Sequence, residues 1–329
     1  MNNMKKIILS CVLMVLLSGA NIFAQSKKIV YTSNQSSNGY LQLFTMNDDG
    51  TDKKQLTYME VNCVNPKWSP DGSMIVFTTS DQQVYLVDDM STGNYRFIWK
   101  GAAPMFAGNN QEIIFVSDYE GVNSVYIMGL GDSEPSILSD GSYSNQAVMS
   151  RDGKFIIYSA LFDGGKTVLL MDMQDTTDAY IHKVSVNKDA NLEPDISPDN
   201  RKYVYAGFDM NLNGTIYIYE EGRERALTKD IPSSTQPKFS PDGSKIAFAV
   251  IKGERVKLYT MNSDGSGKKD LSIKGGDLGL FDWADNQRII YDAENENEQY
   301  NIGIINVNSG DCQLLTSSGF NLHPDVLNP

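Results

Sequence analysis

The sequence predicts an all-β fold, a β-propeller of seven four-stranded antiparallel blades, with the ring closed by pairing of the N- and C-terminal strands. Two observations predict it. A fifteen-residue phrase, NPKWSPDGSMIVFTT at 65–79, returns as QPKFSPDGSKIAFAV at 236–250 and more loosely at 145–159 and 193–207. The phrase recurs about every 43 residues, which matches the length of a four-stranded propeller blade.

The period is measured between anchors, the residues that precede each turn of the KWSPDG type. They span 258 residues in six steps and are Pro66, Pro104, Gln146, Pro194, Pro237, Leu280 and Pro324. A β-rich run follows every anchor except the last, and the run at 28–33 has no anchor before it. The last anchor can supply the inner strand of the blade that begins with the run at 28–33. Pairing these two segments makes a seventh blade and leaves no exposed sheet edge where the ring closes. Six blades would result if a weak anchor, Leu280 or Pro104, were false.

Each blade is expected to begin with an inner strand around the anchor, beside the central channel. S-P-D-G then makes a tight turn, because Pro70 presets φ, Asp71 hydrogen-bonds back to the turn and Gly72 can adopt positive φ. The second strand, such as 74–79, is apolar on both faces, as a sheet between two neighbouring blades requires. A third strand, a second turn and a polar outer strand follow.

Residues 1–24 are predicted to be a secretory signal, which leaves residues 25–329 as a single propeller domain. Lys5 and Lys6 precede the apolar stretch IILSCVLMVLLSGA, and Ala24 lies at a plausible cleavage position. The alternative is a retained anchor helix, although the apolar run is short for a bilayer. The prediction is therefore an exported, periplasmic protein with no stable membrane insertion after cleavage.

The charge balance limits the kinds of partner. Removing residues 1–24, which contain two lysines and no acidic residue, changes the formal net charge from −13 to −15. An acidic protein without basic clusters is a poor ligand for nucleic acid or anionic lipid. We therefore predict no nucleic-acid partner and expect basic or neutral ones.

The repeats resemble those of the TolB-like β-propeller family. The motif P-x-[WF]-S-P-D-G-x-x-[IL]-x-[FY], followed by [LI]-[YF]-x-M-[ND]-x-D-G, is strongest at 40–79 and 236–272. The family includes TolB, which binds a lipoprotein of the cell envelope, and the propellers of prolyl-oligopeptidase-type peptidases and oligogalacturonate lyases. TolB carries an α/β domain before its propeller, whereas only a few residues separate the predicted cleavage site from the first strand. The resemblance therefore implies a TolB-type propeller without that domain.

Enzyme signatures are scarce in the sequence. No G-x-S-x-G motif is present, which disfavours a serine hydrolase. A lyase of the oligogalacturonate type should bring several histidines to the channel, but the chain has only His182, on an expected outer strand, and His323, beside the last anchor. The sequence therefore predicts a protein that is not an enzyme.

Two further segments stand out. DMNLNGTIYIYE at 209–220 fits a calcium-loop pattern in which Asp209, Asn211 and Asn213 offer oxygens and Gly214 permits the turn. A hairpin turn is the alternative, because 215–219 reads as a strand that carries Glu220 away. Calcium is thus the one cofactor the sequence suggests. The acidic run at 292–299 is expected to be a loop, either solvated or a docking patch for a basic partner.

The candidate binding residues are those that the repeat places nearest the channel mouth, the end where the inner strands begin. They are Asn62, Asn65, Asn145, Glu193, Gln236, Asn321 and His323. This set of amides with one acid and one imidazole could hydrogen-bond a peptide or a sugar; alternatively it holds water and caps strand ends. Cys63 and Cys312 fall on different elements of blades that are not neighbours, so we predict no disulfide between them.

These observations predict a non-enzymatic exported binding module that engages an envelope or periplasmic protein through the channel-mouth face. The alternative is a carbohydrate-binding protein or a polysaccharide-lyase-like propeller. A third interpretation is a propeller that forms one part of a larger assembly. The sequence supports the architecture far better than it supports any activity.

Overall fold

The computed structural model describes residues 27–139, 144–174, 181–187 and 189–327, and within these residues it contains 28 β-strands and no helix. The strands form seven separate four-stranded antiparallel sheets, so the seven-bladed propeller is confirmed and the six-bladed alternative is wrong. The signal sequence predicted at 1–24 lies outside the described residues.

The blades follow one another along the chain, and blade 1 is completed by the last strand. Blade 1 contains β1 (Lys28–Ser33), β2 (Gln42–Asn47) and β3 (Lys54–Gln55). Blade 2 contains β4 (Cys63–Trp68), β5 (Ile75–Thr79), β6 (Gln83–Asp89) and β7 (Asn94–Lys100). Blade 3 contains β8 (Ala102–Phe106), β9 (Glu112–Ser117), β10 (Ser124–Gly129) and β11 (Ser136–Ile137). Blade 4 contains β12 (Asn145–Met149), β13 (Phe155–Phe162), β14 (Gly165–Asp172) and β15 (Ile181–Lys183).

The remaining strands repeat this plan. Blade 5 contains β16 (Ala190–Ile196), β17 (Lys202–Phe208), β18 (Gly214–Glu220) and β19 (Arg223–Ala226). Blade 6 contains β20 (Ser234–Phe239), β21 (Lys245–Lys252), β22 (Arg255–Asn262) and β23 (Lys269–Leu271). Blade 7 contains β24 (Asp277–Trp283), β25 (Arg288–Glu294), β26 (Tyr300–Asn306) and β27 (Cys312–Leu314), and β28 (Asn321–Val326) joins blade 1.

The ring is closed between the two ends of the described chain. β28 is the inner strand of blade 1 and pairs antiparallel with β1, with Ile29 opposite Val326 and Ser33 opposite Asn321. The predicted pairing of N- and C-terminal strands is therefore confirmed. It leaves no open inner edge at the seam, where an unfinished blade would expose unpaired backbone groups.

Hydrophobic side chains fill the spaces between blades. The buried apolar residues form seven clusters, each shared by two neighbouring blades. All five residues of β5 are buried, because this second strand has a neighbouring blade on each side. The continuous apolar runs in the sequence thus reflect burial on both faces of the sheet.

The S-P-D-G phrase forms a closed network of hydrogen bonds at the face opposite the channel mouth. The Ser69 hydroxyl donates to Asp71 Oδ1 at 2.8 Å and accepts the Met74 amide at 2.9 Å. Gly72 has φ of +72°, and a Cβ there would lie 2.4 Å from a Leu327 methyl carbon. Only glycine fits both the left-handed backbone and the close approach of the C-terminal segment.

A bulge interrupts most inner strands at the anchor, as in β4 between Val64 and Lys67. In five blades the residue just before the anchor has φ between +50° and +55°: Asn65, Ala103, Glu193, Gln236 and His323. In blade 4 the residue with positive φ is Gln146, at +51°. The anchor predicted at Gln146 is therefore wrong by one residue, and the equivalent anchor is Ala147. In blade 7 the ladder is interrupted between Leu278 and Phe281, without a residue of positive φ. Asp282 pairs with Ile290 as Lys238 pairs with Ala247, so the anchor predicted at Leu280 is also wrong by one residue, and the equivalent anchor is Phe281.

Candidate functional site

Exposed apolar side chains concentrate on the channel-mouth face, formed by the loops entering the inner strands and the loops joining second to third strands. Among the described residues, fourteen large hydrophobic side chains are exposed, and eleven lie on this face. They are Tyr40, Tyr58, Tyr119, Leu161, Phe162, Val186, Met210, Leu212, Ile251, Leu280 and Phe320. Within the described residues, the channel-mouth face is thus the end of the propeller that exposes more apolar surface.

Three mouth residues join neighbouring blades. The Gln146 side-chain oxygen accepts the Glu193 backbone amide at 3.0 Å, and the Glu193 carboxylate accepts the Gln236 amide at 2.7 Å. Glu193 also accepts a hydrogen bond from the Thr235 hydroxyl. The bulge turns these amides out of the β-ladder, so the preceding blade satisfies them with a side chain. The predicted Glu193 and Gln236 are therefore brought together, while Gln146 occupies the place predicted for Asn145.

His323 lies at the same position in the closing strand. Its backbone amide donates to Asp292 Oδ2 at 2.9 Å, and the Leu280 amide donates to Asp292 Oδ1 at 3.0 Å. Burial lowers the pKa of the His323 imidazole to about 4, with a smaller contribution from the charge of Lys67. Burial raises the pKa of Asp292 to about 6, against the effect of the two amides. His323 is therefore a neutral imidazole at neutral pH.

The other candidates lie in or next to the inner strands. Asn321 is fully buried; it accepts from Ser33 Oγ at 2.8 Å and donates to the Ser318 carbonyl at 2.7 Å. Asn62 accepts the Leu41 amide at 2.9 Å just before β4. Asn65 is half-buried in the bulge of β4, and Asn145 begins β12 opposite Ser159. Asn62 and Asn321 thus hold strand ends, the structural role that the sequence left open.

The most highly charged part of the channel was missed from the sequence. Five ionisable side chains occur at the position after the anchor or its equivalent in the inner strands: Lys67, Asp195, Lys238, Asp282 and Asp325. Lys67 Nζ lies 2.6 Å from Asp325 Oδ1 and 3.9 Å from Asp282 Oδ2, and Lys238 Nζ lies 2.9 Å from Asp282 Oδ2. These contacts link blades 1, 2, 6 and 7 across the channel, and we call the five side chains the channel ring.

The pKa shifts of the channel ring follow from its pairing. Burial alone would lower the pKa of Lys67, but the carboxylates of Asp325 and Asp282 outweigh it and raise that pKa. Burial favours the neutral acid at Asp282, yet Lys238 and Lys67 outweigh it and lower its pKa. For Asp195 burial prevails and raises the pKa to about 6, despite the amide of Phe239 and the charge of Lys238. Asp195 is thus the acid of the ring whose charge is least compensated.

Arg151 spans part of the opposite end of the channel. From the turn of blade 4, its Nη1 donates to the Pro241 carbonyl oxygen at 3.2 Å in the turn of blade 6. The guanidinium therefore connects two blades that are not neighbours.

The segment predicted to bind calcium forms a hydrogen-bonded hairpin loop. Asp209 Oδ1 accepts the amides of Asn211 at 2.8 Å and Asn213 at 2.9 Å, and Asp209 Oδ2 accepts Asn213 Nδ2 at 3.2 Å. Glu220 lies at the far end of β18 and pairs with Lys202 at 3.1 Å. Searching the described residues reveals no group of three His, Cys, Asp or Glu side chains that could hold a metal ion. The calcium site stays a prediction, with Asp209 as its one carboxylate in the tight part of the loop.

The acidic run at 292–299 is only partly a loop. β25 extends through Glu294, and Asp292 is 1% exposed inside it, so the loop is confined to 295–299. Glu296 and Glu298 are exposed on the channel-mouth face. The prediction of one continuous acidic loop is therefore wrong for Asp292, because the strand runs longer than its sequence suggests.

The cysteines and His182 lie where the sequence placed them. Cys63 and Cys312 are both free thiols, and burial raises the pKa of the Cys63 thiol to about 12. His182 is exposed on the outer strand β15. Across the residues that the structure describes, no helix is long and apolar enough to cross a membrane.

The closed ring, its bulged inner strands and its polar channel mouth define a seven-bladed β-propeller. The family model for the TolB beta propeller domain matches residues 173–328. The structure of TolB from Acinetobacter baumannii aligns with a TM-score of 0.59 and 19% identity, covering 96% of this chain and 70% of that one. The resemblance inferred from the repeats is confirmed.

The comparisons also connect the propeller with peptidases. Dipeptidyl-peptidase 5 of Porphyromonas gingivalis is 23% identical over 316 residues, which cover 87% of this chain and 46% of that protein. A puromycin-hydrolyzing peptidase of Mycobacterium tuberculosis aligns with a TM-score of 0.69 and 14% identity, covering 88% of this chain and 51% of that one. The chain thus spans about half the length of these peptidases, and at 14% identity the structural likeness shows the fold alone.

These matches overturn the prediction that the protein is not an enzyme. That prediction relied on the missing G-x-S-x-G motif and on the scarcity of histidines, which are properties of this chain alone. Two proteins that each match most of this chain, dipeptidyl-peptidase 5 and the puromycin-hydrolyzing peptidase, are named as peptidases and point to enzyme activity.

Proposed function

We propose that this protein is an exported binding module that holds a protein segment against its channel-mouth face. The observation that carries the proposal is the concentration of exposed apolar side chains on that face. Beside them, the amides and carboxylates around Glu193 and Gln236 offer hydrogen-bonding groups for an extended backbone. The acidic net charge favours a basic or neutral partner, and the predicted export signal suggests an envelope or periplasmic one.

In a second candidate function, the bound segment is cleaved. The match to dipeptidyl-peptidase 5 supports the proposal that the segment is a peptide substrate and that the propeller works together with peptidase activity. Both candidates use the same face, and they differ in whether the bound segment is cleaved. The carbohydrate alternative would use the same amides.

The first test is affinity capture on immobilised protein from a native envelope extract. We expect a retained protein to be lost from a Met210→Ser/Leu212→Ser variant, since these side chains are 101% and 79% exposed and their change leaves the core intact. The matched control is Tyr95→Ser/Phe97→Ser, two exposed side chains on the outer strand β7 of blade 2. Retention that is lost only from the control variant would refute the channel-mouth face.

Peptide hydrolysis separates the two candidates. The protein is incubated with dipeptidyl-anilide substrates and with any captured partner, and new N-termini are identified by mass spectrometry. Cleavage supports the peptidase-linked candidate, whereas an intact bound partner supports docking. Retention of polysaccharide alone would favour the carbohydrate alternative and call for a lyase assay.

A further inference from the structure

A cavity of about 500 Å³ opens on the channel-mouth face where blades 6, 7 and 1 meet. Its walls are mostly apolar and are formed by Ile251, Val256, Leu278, Leu280 and Leu322. The volume lies within the range of roughly 300–1,000 Å³ that small-ligand sites usually have. None of the candidate site residues except Gln236 and His323 borders it, so the cavity is a feature that the repeat pattern did not identify.

Two of the apolar walls are exposed in the free protein. Ile251 keeps 46% of its surface exposed at the end of β21, and Leu280 keeps 42% exposed in the bulge region of β24. Phe320 is 41% exposed and stacks on Tyr300, with ring centroids 6.1 Å apart, so the pair extends the apolar wall toward blade 1. An apolar side chain inserted into the cavity would cover exposed surface of Ile251 and Leu280, which favours its binding.

Polar groups at the cavity are few and fixed in position. Asp292 borders it, and both carboxylate oxygens accept backbone amides, from Leu280 and from His323. The Tyr300 hydroxyl donates to Glu294 at 2.7 Å. Gln236 and the neutral His323 complete the border and can hydrogen-bond a peptide backbone. A few fixed polar groups around apolar walls are the usual composition of a selective pocket.

The charges beside the cavity favour a cationic ligand. Glu294 accepts the Tyr300 hydroxyl, and Glu296 and Glu298 are exposed in the loop that joins β25 to β26. Of two cations on the opposite hairpin, Arg255 lies 3.1 Å from Asp277, and Lys252 donates to the uncharged Tyr259 hydroxyl at 2.5 Å. Glu296 and Glu298 are exposed, so the loop at 295–299 presents negative charge on the channel-mouth face.

We propose that this cavity binds an extended segment of a partner protein in which a bulky apolar side chain is flanked by lysine or arginine. The inference rests on the proposed function, since it identifies where on the channel-mouth face the segment is held and which chemistry selects it. The apolar side chain enters the cavity, and the flanking cations lie against Glu296 and Glu298. Gln236 and His323 hydrogen-bond the segment's backbone.

Fluorescence anisotropy with a synthetic peptide tests the proposal. The probe is a fluorescein-labelled nonapeptide with a central phenylalanine between lysines in a glycine–serine background. Two control peptides replace the phenylalanine with alanine or the lysines with glutamate. We expect either replacement to weaken binding by about tenfold or more. We also expect binding of the basic peptide to weaken as salt is raised, because exposed charges are screened over about 10 Å at 0.1 M salt.

The protein variants provide the matched comparison. Ile251→Ser and Ile137→Ser remove the same side chain at similar exposure, 46% and 40%, and Ile137 lies on the outer strand β11 of blade 3, away from the channel-mouth face. Ile251→Ser should weaken peptide binding by about tenfold, as expected for lost apolar contacts in a pocket, whereas Ile137→Ser should leave it unchanged. Glu296→Gln/Glu298→Gln should weaken binding and flatten its salt dependence. Circular dichroism confirms that each variant is folded.

The outcomes separate this inference from the proposed function. In one outcome, binding of the peptide or partner persists in Ile251→Ser and Leu280→Ser but is lost in Met210→Ser/Leu212→Ser. That result refutes the cavity as the binding site and still supports the channel-mouth face. Partner binding that survives all of these changes overturns both. Equal binding of the basic and acidic peptides overturns the charge selection.

Discussion

Replacing Asp195 with asparagine should change how stability depends on pH. Asp195 lies in the channel ring, and its Oδ2 accepts the Phe239 amide at 2.7 Å. The asparagine side-chain oxygen can keep that hydrogen bond while the titrating proton is removed. Burial raises the pKa of the Asp195 carboxyl from 3.8 to about 6 in the native protein, despite the Phe239 amide and Lys238.

The sign and size follow from linkage. At pH values between the unfolded and native pKa of Asp195, the native state holds a proton that the unfolded state has lost, so stability falls as pH rises through that window. At about 1.4 kcal/mol per pKa unit, this one group costs about 2 kcal/mol between about pH 4.5 and pH 7.5. Asp195→Asn should therefore gain about 2 kcal/mol of unfolding free energy relative to the original protein over the same interval.

Urea denaturation at several pH values, followed by tryptophan fluorescence, measures the difference. Comparing variant with original protein at each pH cancels the titration of all other groups. The matched control is Asp199→Asn, in the turn of blade 5, where the hydroxyl of Ser197 is the main cause of a lowered pKa. A lowered carboxyl pKa affects stability mainly below its unfolded value, so this control should give a nearly constant difference across the interval. A constant difference for Asp195→Asn as well would refute the reasoning.

Three further substitutions test the turns, the charge pairing and the inter-blade hydrogen bonds of the propeller. Gly72→Ala should lower the free energy of unfolding by about 1–2 kcal/mol in urea denaturation, because φ is +72° and the new methyl group meets the Leu327 side chain. The control is Gly121→Ala, which should cost less because φ is +90° but nothing lies within 4 Å of the new methyl group. Lys67→Met should destabilise by about 1–3 kcal/mol by removing the 2.6 Å partner of Asp325, which is 13% exposed; adding Asp325→Asn removes the unpaired charge while its side-chain oxygen can still accept the Trp68 amide, so it should restore part of the loss in a double-mutant cycle. Asp292→Ala should lower the free energy of unfolding by about 2–3 kcal/mol and speed hydrogen exchange at the Leu280 and His323 amides, which the carboxylate accepts. The loss of unfolding free energy should be larger at pH 5 than at neutral pH, because the buried carboxyl costs least when it is protonated.

The repeated phrase was enough to predict the architecture. Pro70, Asp71 and Gly72 each have a local reason to be in a turn, and the apolar runs after them require a neighbour on both faces. The error at Gln146 also has a local cause. Position 147, where most other blades have proline, is alanine, so the sequence does not mark the anchor there. Gln146, the residue before it, nevertheless has a positive φ.

The channel ring was missed although its sequence signal was present. NPKW, QPKF, EPDI and HPDV each have a charged residue directly after the anchor. Attention to the residue before the anchor identified Glu193, Gln236 and His323, but the charges interact only because ring closure brings distant strands together. Lys67 and Asp325 are 258 positions apart in sequence and 2.6 Å apart in space. A local sequence pattern does not predict a contact between residues so far apart in sequence until the number of blades, and thus the closure of the propeller, is known.

The same bulge separates the repeated positions from the variable ones. It places the residue before the anchor at the channel mouth and the residue after it in the channel, while the turn and the apolar run stay unchanged. Side chains at these two positions, such as Glu193 and Asp195, bind the backbone of the neighbouring blade. At the seam, the cavity is completed by Leu322 and His323 of β28, the strand that closes the ring. A ligand that fills the cavity contacts blades 6, 7 and 1 together, so its binding must stabilise the closed ring and slow hydrogen exchange along β28.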